Sequence, residues 1–208
     1  MKDKYKNFRD FKIVRNCNKK YSTPEQYRPY LKKDFHYRCA YCNTWDVIIE
    51  PLSFHIEHYV PEDTFKKERP ELKTLYENLM YACPKCNLKK KNRFEGDMHR
   101  IENTLFYDPT KVDYNNIFYR DKYGTICSED KKGCSMITLL DLSRRVYNVS
   151  WMLEQMRCTI DKMKEKLKEN ISEEKKKMLQ ESLDKIVMEY YERQIIFAIT
   201  YKNKKTTS

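Results

Sequence analysis

At 208 residues with 40% hydrophobic side chains, the chain holds material for one compact domain and an appended element, not for several large cores. Lys and Arg number 42 against 31 Asp and Glu, a formal charge of +11, so the surface potential favours a polyanionic partner, with nucleic acid first. The apolar runs are short and broken by charge, and neither a spanning helix nor a secretory leader is visible, which excludes a membrane protein and leads to the expectation of a cytoplasmic location.

Residues 1–37 form a polar, basic N-terminal segment. Within it Thr23-Pro24-Glu25-Gln26 predicts a helix start, with Thr as cap, Pro in the first turn and Gln26 closing a capping box, while Pro29 keeps that helix short or shifts its start. From Arg38 to Phe94 the runs Val47-Ile48-Ile49, Phe54-His55-Ile56 and Leu79-Met80-Tyr81 are too short for helices and rich in β-branched or aromatic residues, and predict strands. Pro84 to Lys91 predicts a short helix with Pro in its first turn. Ile117 to Arg120 and Thr125 to Cys127 flank Asp121-Lys122-Tyr123-Gly124, the length and composition of a hairpin loop.

Beyond Ser143, Val149, Met152, Met156, Ile160, Met163 and Leu167 recur at helical spacing. A second helix starts near Ser172, followed by Glu173 and Glu174 at the positive end of its dipole, and carries Leu179, Leu183, Ile186, Val187 and Tyr190. The two predict an antiparallel helical hairpin whose Met-bearing stripe suits core packing or an adaptable contact with another protein. The expected class is α+β, divided into the N-terminal segment 1–37, a cysteine-bounded domain with its hairpin at 38–135, helices at 136–201 and a disordered tail at 202–208.

Two Cys-x-x-Cys pairs, Cys39-Ala40-Tyr41-Cys42 and Cys83-Pro84-Lys85-Cys86, bracket the middle of the chain. Each pair aims two sulfurs at one centre, and four thiolates close a tetrahedral shell, which makes a structural zinc ion, not a catalytic one, the expected occupant. Cys17, Cys127, Cys134 and Cys158 lack paired spacing and read as free thiols.

Any chemistry then falls to the residues between the pairs. Hydrolysis of a phosphodiester needs a base for water and a hard cation for the developing charge. In Glu57-His58-Tyr59-Val60-Pro61 the imidazole of His58 can be the base and the carboxylate of Glu57 an oxygen ligand for Mg²⁺ or Mn²⁺, with Asn87, directly after Cys86, adding an amide oxygen. So sparse a ligand set implies that the metal arrives with the nucleic acid. His55 shares the Glu57 face of an extended strand and is open to three roles: an extra ligand, a phosphate contact or a supporting partner. Tyr41 and Trp45 are read as core side chains in preference to base-stacking ones.

These residues resemble the HNH, or His-Me finger, endonucleases, whose core is a ββα-metal unit. In that family the base lies in an acid-His-x-x-Pro run, here Glu57 to Pro61; a middle Asn precedes Leu, here Asn78-Leu79; and a last Asn follows the second cysteine pair, here Asn87. The resemblance implies that Glu57 and Asn87 hold the catalytic Mg²⁺ or Mn²⁺, that His58 is the base, that Asn78 braces its loop, and that Lys90 contacts a phosphate. The order of Phe54 to His58, Tyr76 to Cys83, Phe106 to Pro109 and Gly133 to Arg145 is further similar to bacterial HNH proteins of the retron and Septu anti-phage type, which act beside an ABC-type ATPase. The expected activity is thus cleavage of DNA, with RNA left open, by a nuclease that meets an ATPase or a second copy of itself through its C-terminal helices. The competing expectation is a zinc-stabilised nucleic-acid-binding or interaction subunit with no hydrolytic role.

Overall fold

A computed structural model describes residues 6–49 and 54–203. The chain divides into two compact units, residues 1–144 and residues 145–208. The N-terminal segment, far from standing apart, supplies Phe8, Ile13, Tyr27, Leu31 and Phe35 to the core of the first unit.

That unit begins with β1 (Lys6–Asn7). Gln26 Oε1 accepts from the Thr23 backbone N–H at 3.1 Å, closing one half of the expected capping box over a 3₁₀ turn at Pro24–Tyr27, and α1 (Arg28–Asp34) follows with Pro29 in its first turn. Next comes α2 (Asp46–Ile49), so Val47-Ile48-Ile49 is helical and the expected strand is corrected. The reason is local anchoring: the Asp46 N–H donates to the Tyr37 carbonyl, and its buried carboxylate accepts from Tyr81 Oη at 2.8 Å and pairs with Lys32 at 3.4 Å. These contacts turn the chain at Asp46, and β-propensity over three residues does not overcome them.

Strands β2 (His55–His58) and β3 (Leu79–Ala82) pair antiparallel with Glu57 opposite Met80 and His58 opposite Leu79. Between them lie α3 (Glu62–Phe65) and two 3₁₀ turns, at Pro70–Lys73 and Tyr76–Asn78. Helix α4 (Pro84–Lys90) leaves β3 through Cys83 and packs against β2, as the sequence suggests. A second small sheet joins β4 (Gly96–Asp97) to β5 (Glu102–Asn103). The expected hairpin forms from β6 (Phe118–Arg120) and β7 (Ile126–Ser128), and β1 adds to it as a third antiparallel strand in the order β1-β6-β7. The fully buried Arg120 donates to the Gly124 carbonyl at 2.7 Å and to the Cys42 carbonyl at 3.1 Å, tying this sheet to the first cysteine turn. Helix α5 (Lys131–Leu140), capped by Asp130, packs on β7 and α4 and therefore belongs to the first unit, not to a helical domain starting at 136.

The second unit is α6 (Arg145–Leu167) and α7 (Glu173–Asn203), which pack on one another. Ile160 and Leu183 are its buried stripe residues, whereas Val187 lies on the exposed side. Helix α7 continues to Asn203, past the expected start of the tail at Lys202, and residues 204–208 lie outside the described ones. No helix among the described residues is long and apolar enough to cross a membrane.

Candidate active site

The four cysteines converge. Asn43, at φ 59°, turns the chain between Cys39 and Thr44, and its Nδ2 donates to the Phe8 carbonyl at 2.9 Å, fixing the first pair. Cys83 is the N-cap of α4, its sulfur accepting from the Cys86 N–H, which fixes the second. The Ala40 N–H donates to the Tyr81 carbonyl at 2.8 Å and locks one turn to the strand leading into the other. All four sulfurs are buried within 4.8 Å of one another, and Cys42 and Cys83 are 3.7 Å apart. Zinc–sulfur bonds of about 2.3 Å in a tetrahedron require sulfurs about 3.8 Å apart, so the cluster fits the ion without rearrangement.

Its electrostatics point the same way. Burial opposes a thiolate at Cys39, yet the sulfurs of Cys42, Cys83 and Cys86 hydrogen-bond to it and hold it well below the ordinary thiol range. Cys83 is pushed well up by hydrogen bonding to Cys39 and Cys42, and Cys86 by burial and the same neighbours. Four thiolates here need a divalent cation among them. No disulfide joins the remaining cysteines among the described residues, Cys127 and Cys134 included.

Along β2 the side chains alternate, and Glu57 is the one that points inward. Its Oε1 lies 2.5 Å from Lys90 Nζ and its Oε2 accepts from Tyr41 Oη at 2.7 Å. Burial first, then the Glu57 charge, pushes the Tyr41 hydroxyl well up, so it stays a donor. Lys90 is fully buried, also donates to the His58 carbonyl at 2.9 Å, and lies over the Phe106 ring at 5.9 Å. The ammonium of Lys90, expected to meet a phosphate, is held here by the Glu57 carboxylate and the His58 carbonyl. Both Glu57 oxygens are likewise engaged, and a cation already neutralises the carboxylate.

His58 is half-buried on the opposite face of β2. Its Nε2 lies 2.9 Å from the Lys73 carbonyl oxygen, which only accepts, so Nε2 is the donating nitrogen of this contact and Nδ1 takes no part in it. The Phe65 ring meets it edge-on at 5.6 Å. Asn78 is fully buried and spans the chain after His58: its Oδ1 accepts from the Val60 N–H at 2.8 Å, and its Nδ2 donates to the carbonyls of Val60 at 3.2 Å and Leu72 at 3.1 Å. Asn87 is half-buried on α4, and its side-chain amide bonds to no described residue. His55 is exposed, opposite Ala82 in the sheet.

Several contributors had no pattern in the sequence. Arg15 donates to the carbonyls of Tyr76 at 2.6 Å, Glu77 at 3.0 Å and Leu79 at 2.9 Å, clamping the turn that presents Asn78. Tyr41 was legible as a core residue but not as the hydroxyl donor to Glu57. The Lys73 carbonyl is a backbone group, invisible to any motif.

A four-sulfur cluster beside a two-stranded sheet and a short helix, with an imidazole oriented on that sheet, defines a class of small domain built around a candidate structural metal site. Residues 39–93 match the family model described as HNH endonuclease, so an HNH domain occupies this segment and implies a nucleic-acid substrate. No curated protein and no solved structure matches the chain.

Proposed function

We propose that the protein is an endonuclease that hydrolyses DNA phosphodiester bonds, with β2, β3 and α4 as the strands and helix of a ββα-metal core. The observation that carries this reading is the orientation of His58, whose Nε2 is held by the Lys73 carbonyl so that Nδ1 is the nitrogen left to face water, within a segment matching the HNH family. In the reaction Nδ1 takes a proton from water, the hydroxide oxygen bonds to phosphorus, and the opposite P–O bond breaks to leave a 5′-phosphate and a 3′-hydroxyl. Asn78 holds the loop after His58 so that the ring keeps its position. HNH nucleases use divalent metals; Mg²⁺ or Mn²⁺ would supply charge at the phosphate, with the Asn87 amide and His55 as outward donors on α4 and β2. Glu57 could join them only by releasing Lys90.

The order of Phe54 to His58, Tyr76 to Cys83, Phe106 to Pro109 and Gly133 to Arg145, similar to that of the retron- and Septu-type proteins, suggests a role as the nuclease effector of an anti-phage system with an ABC-type ATPase. For this the second unit, read as a helical hairpin, supplies a docking face: Met188, Tyr191, Ile195 and Ile199 recur along exposed turns of α7. Self-association through the same helices would bring two nicking sites together. The closed state of Glu57 favours a second reading, a nucleic-acid-binding module without hydrolysis.

Incubation of the purified protein with supercoiled plasmid and Mg²⁺ or Mn²⁺ separates the two. The expected result is nicked circles, lost by about a hundredfold or more in His58→Ala with zinc content and DNA affinity retained. A wild-type cleavage rate in His58→Ala, free of contaminating nuclease, would leave the binding module as the better account.

A further inference from the structure

An open groove of about 510 Å³ lies outside the His58 site, lined by Phe11, Lys33, His36, Tyr37, Arg38 and Trp45, with Asp10 as the acid on its wall. Its size falls in the range of small-ligand clefts, about 300–1,000 Å³. The Phe11 and His36 rings are stacked at 4.1 Å. The Arg38 guanidinium lies 5.8 Å over the Trp45 ring, and Lys32 Nζ lies 5.5 Å over Tyr37, which is 43% exposed. The rings of Phe11, His36, Tyr37 and Trp45 thus share the groove lining with the cations Lys33 and Arg38.

The backbone beneath it is unusual. Helix α1 ends with the Tyr37 N–H donating to the Lys32 carbonyl at 2.7 Å and the His36 N–H to the Lys33 carbonyl at 2.9 Å, the two bonds of a Schellman cap. The left-handed position of that cap ordinarily goes to glycine, because a Cβ is disfavoured there. Here His36 at φ 51° and Tyr37 at φ 60° occupy two such positions in succession. Aromatic side chains stand where the backbone disfavours any side chain, and strain of this kind collects where a side chain has work to do.

We infer that this groove binds unpaired nucleotides of a single strand, with bases on the aromatic faces and a phosphate on Lys33. Every base has a face to stack on a ring, so such a groove is sequence-tolerant, and the +11 charge of the chain is complementary to the strand. The inference rests on the nucleic-acid reading above, and it narrows the substrate to one that carries unpaired nucleotides. It also moves Trp45 from the core role expected of it to a half-buried wall of the groove.

The test uses the full chain with Trp151→Phe, which leaves Trp45 as the reporting indole. Oligothymidylate should quench its fluorescence, and the same background with His36→Gly and Tyr37→Gly should bind the oligonucleotide roughly tenfold or more weakly, the loss of one or two stacked bases. Glycine suits both backbone positions, so the thermal midpoint should hold. Lys33→Glu, an exposed charge reversal, should weaken single-strand binding without touching the rings. Affinity for a duplex of the same length should stay within about twofold in the glycine variants, since stacking needs unpaired bases. Unchanged single-strand affinity in these variants, or equal losses for duplex and single strand, would overturn the inference. Quenching that persists in a protein unable to cut plasmid sustains the groove and removes the nuclease reading; cutting without quenching does the reverse.

Discussion

Lys90 on α4 and Glu57 on β2 meet at 2.5 Å with their side chains 0% and 4% exposed, a buried ion pair that joins the helix carrying Asn87 to the strand carrying His58. Because Lys90 also holds the His58 carbonyl, the pair sets where the imidazole starts from the backbone. Removing one partner leaves an uncompensated charge in the interior, which costs about 3–5 kcal/mol. Lys90→Met and Glu57→Gln should each destabilise the protein in urea denaturation. The double variant should lose less than the sum of the two, with a coupling above about 1 kcal/mol. Additive losses would show that the two groups do not meet in solution.

Zinc should be present at one ion per cluster, and Cys39→Ser or Cys86→Ser should unfold the first unit, since structural zinc binding is linked to folding by on the order of 10 kcal/mol in small domains. Elemental analysis of folded protein checks the metal, and far-ultraviolet circular dichroism during chelation checks the linkage. Folded, soluble protein without zinc would refute the assignment.

Asn78→Ala should act through geometry. It strips partners from the Val60 N–H and from the Val60 and Leu72 carbonyls, each buried, at about 1–3 kcal/mol in stability. With the loop after His58 loosened, kcat on plasmid should fall about ten- to a hundredfold while KM changes little. A matched rise in KM at unchanged kcat would mean that Asn78 serves binding instead.

Alkali should unfold the protein through its tyrosines. Burial is the main cause that pushes up the hydroxyls of Tyr41, Tyr59, Tyr76, Tyr81 and Tyr114, helped at Tyr41 by Glu57, at Tyr76 by Asp34 and at Tyr81 by Asp46. A folded value above the unfolded one means stability that is complete below the ordinary tyrosine value near 10 and is lost as pH climbs above it toward the folded values. The share of the 295 nm absorbance that belongs to these five rings should therefore appear together with the loss of circular dichroism above pH 10, after that of exposed rings such as Tyr123 and Tyr191. Full tyrosinate absorbance in a still-folded protein would contradict the burial of these rings.

The parts legible in the sequence are those with local periodicity or spacing. The cysteine pairs, the strands around His55 and Leu79, the helix after Cys83 and the β6–β7 hairpin each announce themselves within a few residues. Val47-Ile48-Ile49 misleads because three residues have no period, and the anchor that decides their conformation, Asp46 to Tyr81, reaches across the fold. Lys90 misleads differently. Its offset from Asn87 is a motif feature, but whether a lysine faces out or in depends on a carboxylate 33 positions earlier in the chain finding it. The arginine clamps of Arg15 and Arg120 bind backbone carbonyls, which have no sequence signature, and so the braces of the site stayed hidden while its reactive groups did not.

The cysteine cluster also imposes an order on the making of the protein. Cys39 and Cys42 leave the ribosome first and wait with two ligands, while His58 and Asn78 emerge before the partners Cys83 and Cys86 exist. Cys83 is at once a metal ligand and the cap that starts α4, so closure of the cluster and birth of the helix are one event. Until then β2 has neither Lys90 for Glu57 nor a fixed carbonyl for His58. A half-synthesised or truncated chain therefore carries His58 in its sequence but not in position, and the contacts that place it form only when the second cysteine pair and Lys90 have been translated.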